Sequence, residues 1–133
     1  MSVINVETGQ KIFKEGELNN AMYIILKGQV EILLTTGKEQ TKLAILSEGD
    51  FFGEISLFSA KPRSATAKAV SRTQLAVISS KQILENYLLK NPKFSAKMVS
   101  IMAGRLAKTN ELLVEKMEKK SAGELEYSKE VSE

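Results

Sequence analysis

Glycines and polar turn pairs cut the first part of the chain into short apolar runs, and that pattern stops after Ser79. Gln10–Phe13 ends at Glu15-Gly16, and Ala21–Lys27 (AMYIILK) ends at Gly28. Gln29–Thr35 follows, then a turn at Gly37-Lys38-Glu39, then the alternating run Thr41–Leu46. Gly49-Asp50 marks another turn before Phe51-Phe52, and Ser64–Val70 and Thr73–Ile78 alternate again. Alternating runs of this length, bounded by turn residues, form half-buried strands joined as hairpins. Their spacing predicts an antiparallel barrel or jelly roll rather than a βαβ sheet, with strands over about 9–79.

From Ser79 the period becomes helical. Ser79-x-x-Gln82 reads as a capping box, and Ile83, Tyr87 and Leu84 or Leu88 keep helical spacing. Asn91-Pro92 ends that helix (about 80–91) and starts the next, because proline is tolerated at a first helical position. The second helix is predicted over about 92–119. Val99, Met102, Leu106, Leu113 and Met117 form its apolar stripe, with Asn110 in the one gap. The remaining residues, 120–133, are polar and mixed in charge, as in a flexible tail.

The absent residue types narrow the chemistry. With 133 residues the chain supports one domain with a sizeable core. It has no Cys, which excludes disulfides, iron–sulfur clusters and thiol nucleophiles. It has no His, which removes the commonest metal ligand and the commonest general base. Asp50 is the only Asp, so no Asp-rich loop for calcium exists and no metal site is expected. No apolar run is long enough to span a membrane, and MSVINVETGQ lacks the features of a secretory signal, so a cytoplasmic location is expected. The formal charge is +3, but Lys and Arg are interleaved with Glu, which describes a solvated surface rather than a nucleic-acid stripe.

Chemistry concentrates in Phe52–Ala65, FGEISLFSAKPRSA. Gly53 can take a backbone conformation other residues resist and lets a ligand approach closely. Glu54–Phe58 fits one short helical turn, whose free N–H groups would face an anion. Arg63 supplies a planar, permanently charged fork for phosphate oxygens, and Ser64 adds a hydroxyl. Glu54 would repel phosphate, so its acceptors suit sugar hydroxyls instead. Taken singly, Gly-Glu or Arg-Ser is more often an ordinary turn and a surface ion pair of little value. Together they specify an anion beside a sugar.

The string Phe52-Gly53-Glu54-Ile55-Ser56-Leu57, followed by Arg63-Ser64-Ala65, resembles the phosphate-binding cassette of the cyclic nucleotide-binding domain family. The resemblance extends upstream through Ile12-Phe13, Glu15-Gly16, Met22–Ile25, Lys27–Val30 and Gly49-Asp50, and downstream into both helices. It implies a mainly β fold: an antiparallel β-roll with a short cassette helix and two C-terminal α-helices, spanning 1–119. It implies that Glu54 accepts from the ribose 2′-hydroxyl and Arg63 pairs with the exocyclic phosphate oxygens. The backbone N–H groups of Gly53, Ser56 and Ser64 would complete the anion site, with Ile55 and Ala65 as cassette positions. Thr109 aligns with a residue that meets the adenine amino group, and Asn110 with one that reaches the base from a partner subunit. Alternatively, Thr109 is a solvent-facing helix residue and Asn110 fixes dimer register in an apolar seam. Ser64 occurs in both cyclic-GMP and cyclic-AMP binders and does not discriminate.

No helix-turn-helix follows the long helix and few residues precede the first strand, so DNA binding and relay through an N-terminal helix are not expected. The expected function is a regulatory sensor that binds a cyclic nucleotide, cyclic AMP ahead of cyclic GMP, with no other cofactor. Its C-terminal helices would rearrange on binding and signal to a downstream effector. A homodimer through 92–119 is compatible. A competing reading is a protein-interaction or dimerisation module with a vestigial cassette. An enzyme is not expected, since Glu54 lacks a second carboxylate at motif spacing and no His or Cys assists it.

Overall fold

The structure, a computed structural model, describes residues 1–120. The tail expected over 120–133 falls, from 121 onward, outside the described residues. Residues Met1–Lys90 form one unit, and the chain from Asn91 forms a second.

The first unit is a β-roll of two four-stranded antiparallel sheets. Its elements are β1 (Ser2–Val6), β2 (Lys11–Phe13), β3 (Met22–Lys27), β4 (Val30–Thr36), β5 (Glu39–Leu46), β6 (Phe51–Phe52), α1 (Glu54–Ser59), β7 (Thr66–Ala69), β8 (Thr73–Ile78) and α2 (Lys81–Lys90). One sheet runs β1-β8-β3-β6 and the other β2-β7-β4-β5. Every strand expected from alternation is present. One further strand, β1, was not expected: it pairs with β8 from Ser2 opposite Val77 to Val6 opposite Thr73. The sheets therefore begin at residue 2 rather than 9. Four of the five β1 residues are exposed, and Val3, Ile4 and Val6 do not alternate strictly with polar residues, so the run lacks a clean period-two pattern.

The inter-sheet core holds Val6, Phe13, Tyr23, Ile25, Val30, Phe52, Ala67, Ala69 and Leu75. Strand β3 explains why AMYIILK is apolar throughout rather than alternating. Tyr23 and Ile25 enter this core, while Met22 and Ile24, on the opposite face, are buried as well. On this sheet α1 packs against β3 and α2 against β8. A strand covered on both faces reads as a continuous apolar run. Strand β5 lies at a sheet edge and is largely exposed, and the two-residue turn Gly37-Lys38 joins it to β4. Between β3 and β4, Gly28 has φ +92°, and a Cβ there would stand 2.5 Å from the Arg72 carbonyl oxygen.

Helix α2 is capped one residue later than expected. The Ile83 N–H donates to Ser80 Oγ at 3.2 Å, which makes Ser80 the cap rather than Ser79. Ile83 occupies the position where a capping box needs Glu or Gln, so the box does not form.

The second unit is α3 (Pro92–Lys120), with Pro92 at its first position as expected. Met98 is buried and Met102 and Met117 are half-buried, whereas Val99, Leu106 and Leu113 are exposed. Among the described residues, no helix is long and apolar enough to cross a membrane.

Candidate functional site

Gly53 caps α1 in the left-handed conformation, with φ +84° and ψ 7°. A Cβ at this residue would lie 2.7 Å from Arg63 Nη1 and 3.1 Å from the Ala21 carbonyl oxygen. Here glycine is required twice, by its backbone angle and by the approach of Arg63. The helix that follows is the expected short turn and ends at Ala60, itself left-handed at φ 57°. The Ala60 N–H donates to the Ser56 carbonyl at 2.9 Å, and Ser59 Oγ donates to the Ile55 carbonyl at 2.6 Å. This helix buries Glu54, Ser56 and Leu57 and exposes Ile55 and Phe58.

Arg63 lies at the end of the return loop, and reciprocal backbone bonds pin that loop to the turn after β2. The Gly16 N–H donates to the Arg63 carbonyl at 2.7 Å, and the Arg63 N–H donates to the Glu17 carbonyl at 2.9 Å. Beside it, Thr66 Oγ1 accepts from the Glu15 N–H at 3.0 Å. Ser64 is exposed and Ala65 half-buried.

The Arg63 side chain is only 3% exposed. Its Nη1 donates to the Gly53 carbonyl at 2.9 Å, and its Nη2 to Asn19 Oδ1 at 3.1 Å and to the Ala21 carbonyl. Its Nε is buried without a hydrogen-bond partner among the described residues. The guanidinium lies over the Phe13 ring, and Phe13, Tyr23 and Phe52 pack with ring centroids 5.3–6.0 Å apart. Burial pushes the Arg63 pKa below its usual value, opposed by Tyr23, Glu17 and Glu54. An arginine stays charged under such a shift, so the result is a buried cation whose Nε–H is open. An unsatisfied buried donor costs about 1–3 kcal/mol.

The structure thus brings Gly53, Glu54, Ser56 and Arg63 together from α1, its cap and the return loop. It also adds partners that motif reading missed: Phe13, Glu17, Asn19, Ala21 and Tyr23. A backbone carbonyl such as that of Ala21 leaves no mark in a sequence. Thr109 and Asn110 belong to the second unit and are exposed on α3, where Thr109 Oγ1 donates to the Arg105 carbonyl at 2.9 Å. Among the described residues, no cluster of carboxylates is placed to hold a metal ion.

A model of the cyclic nucleotide-binding domain matches residues 3–90. The chain belongs to the cyclic nucleotide-binding domain family. The matched region of this domain contains every cassette residue and stops before α3, so Thr109 and Asn110 lie outside it. Among its relatives, a CRP-like cAMP-activated global transcriptional regulator of Mycobacterium tuberculosis is 31% identical over 114 residues, covering 84% of this chain and 50% of the regulator. The crystal structure of the Thermus thermophilus catabolite activator protein aligns with a TM-score of 0.70 at 29% identity, covering 84% of this chain and 53% of that one. The EAL enzyme Bd1971 is similar in both its cAMP-bound form (TM-score 0.61, 32% identity, 89% of this chain and 32% of that one) and its cGMP-bound form (0.61, 35%, 79% and 28%). The cyclic nucleotide-binding domain thus spans about half or less of the length of these proteins. Its two sheets and C-terminal helices are those of the catabolite-activator β-roll.

Proposed function

We propose that the chain binds cyclic AMP as a regulatory sensor module. The observation that carries this is the buried Arg63 guanidinium, with Nε–H open, bonded to the Gly53 carbonyl next to buried Glu54. A cation already out of water gains most from an anion that brings several acceptors, as a cyclic phosphate does. Arg63 takes the exocyclic oxygens, with the N–H groups of Gly53, Ser56 and Ser64. Glu54 accepts from the ribose hydroxyl, and Ile55 and Ala65 shape the cassette around them.

Adenine is favoured by the chemistry of Thr109. Its hydroxyl proton is committed to the Arg105 carbonyl, which leaves lone pairs on Oγ1 for an amino donor. Adenine carries an amino group at the edge where guanine carries a carbonyl. Thr109, with Asn110, is therefore the proposed base contact in the bound state. Closure of the C-terminal helices over the base would carry the signal to an effector, by as much as the ligand's affinity differs between the two states.

Calorimetric titration with cyclic AMP and cyclic GMP tests the reading. Arg63→Ala is expected to cost about two to four decades of affinity. Unchanged affinity in both Arg63→Ala and Glu54→Ala overturns it.

The exposed Val99, Leu106 and Leu113 favour a second property, a homodimer through α3. Sedimentation with and without nucleotide tests it, and a monomer under both conditions rules it out.

A further inference from the structure

Arg63 Nη2 carries two hydrogens, and both are taken, one by Asn19 Oδ1 and one by the Ala21 carbonyl. Nε–H is open. A phosphate grips an arginine best through two parallel N–H bonds. With Nε–H as one of them, the neighbouring bond must come from Nη2. One of its two present acceptors then has to yield.

The two acceptors differ in freedom. The Ala21 carbonyl is backbone, joined directly to Met22, which pairs with Ile78 inside the sheet. Asn19 offers a side chain from a loop, half-buried and held by its own bonds. Its Oδ1 accepts from the Ala21 N–H at 3.0 Å, and its Nδ2 donates to the Tyr23 hydroxyl at 3.1 Å. Those bonds orient Oδ1 toward Arg63. They also persist if Arg63 departs, so release does not strand the amide.

Building on the proposed cyclic nucleotide function, we infer that Asn19 is a positioning residue that competes with the ligand phosphate for Arg63 Nη2. It keeps the cassette arginine turned inward until an anion displaces it. The residue at this position thereby sets the affinity threshold of the sensor without touching the ligand.

Two substitutions with opposite expected signs test this. Asn19→Asp preserves the acceptor for the Ala21 N–H and turns the Arg63 bond into a charge-assisted one, so cyclic AMP affinity should fall about tenfold. Asn19→Ser keeps a short acceptor for the Ala21 N–H but ends one bond further from Arg63. Its affinity should rise about threefold or more. Thermal melting accompanies both titrations. Opposite shifts support the competition. A parent chain that binds cyclic AMP while both variants shift in the same direction, or neither shifts, overturns the role of Asn19 alone. A parent chain that binds neither cyclic AMP nor cyclic GMP overturns the proposed function and this inference with it.

Discussion

Arg63 Cζ lies 3.9 Å from the centroid of the Phe13 ring, so the cassette's cation rests on an aromatic face supplied by β2. The ring belongs to the inter-sheet core, packed at a tilt against Tyr23 and Phe52. The orientation of the guanidinium is therefore fixed by the packing of the roll and not by the cassette alone. Replacing Phe13 by Leu keeps apolar bulk and removes the π face. Cyclic nucleotide affinity should drop about threefold to thirtyfold. Titration calorimetry of Phe13→Leu beside the parent chain reads this directly.

Gly53→Ala should damage binding more than folding. The added methyl would sit 2.7 Å from Arg63 Nη1, the far end of a side chain that can move aside. Displacing it shifts the charge the ligand needs. The left-handed backbone adds roughly 1–2 kcal/mol of strain. The expected outcome is at least about a tenfold loss of affinity with a folded protein, measured by titration and circular dichroism together.

Gly28→Ala should do the reverse. Its methyl would meet the Arg72 carbonyl oxygen at 2.5 Å and Thr73 Oγ1 at 2.6 Å, and the carbonyl is backbone that cannot swing away. Strain and overpacking together predict about 2–5 kcal/mol of destabilisation. Urea unfolding measures the loss. Ligand affinity of the folded fraction should remain near that of the parent.

The two serines before α2 should separate cleanly. Ser80→Ala removes the acceptor for the Ile83 N–H and should cost about 1 kcal/mol. Ser79→Ala alters an exposed side chain and should stay within about 0.5 kcal/mol. Equal thermal shifts for the two variants would contradict the cap assignment.

The strands from Met22 to Ile78 were legible because turn glycines and alternation mark them locally. The cassette was legible for the same reason, as its residues lie within one short string. What escaped was long-range. Asn19 and Ala21 contact a side chain 44 and 42 residues away, and no local pattern announces such a pairing. Strand β1 escaped because Ser2–Val6 does not alternate strictly and only Val6 is buried, while its partner β8 is distant in sequence, with Val77 opposite Ser2. The Ser79 cap was misplaced by one residue because both candidates are serines, and only the Ile83 hydrogen bond decides between them.

The pairing of β1 with β8 has a practical side. β8 is an inner strand only because residues 2–6 run along it, and it leads within two residues into α2. A truncation that began at Glu7 would bare a row of backbone donors and acceptors along β8, a template for strand addition by a second molecule. Aggregation of a shortened chain would then reflect an exposed sheet edge, with the nucleotide cassette still intact.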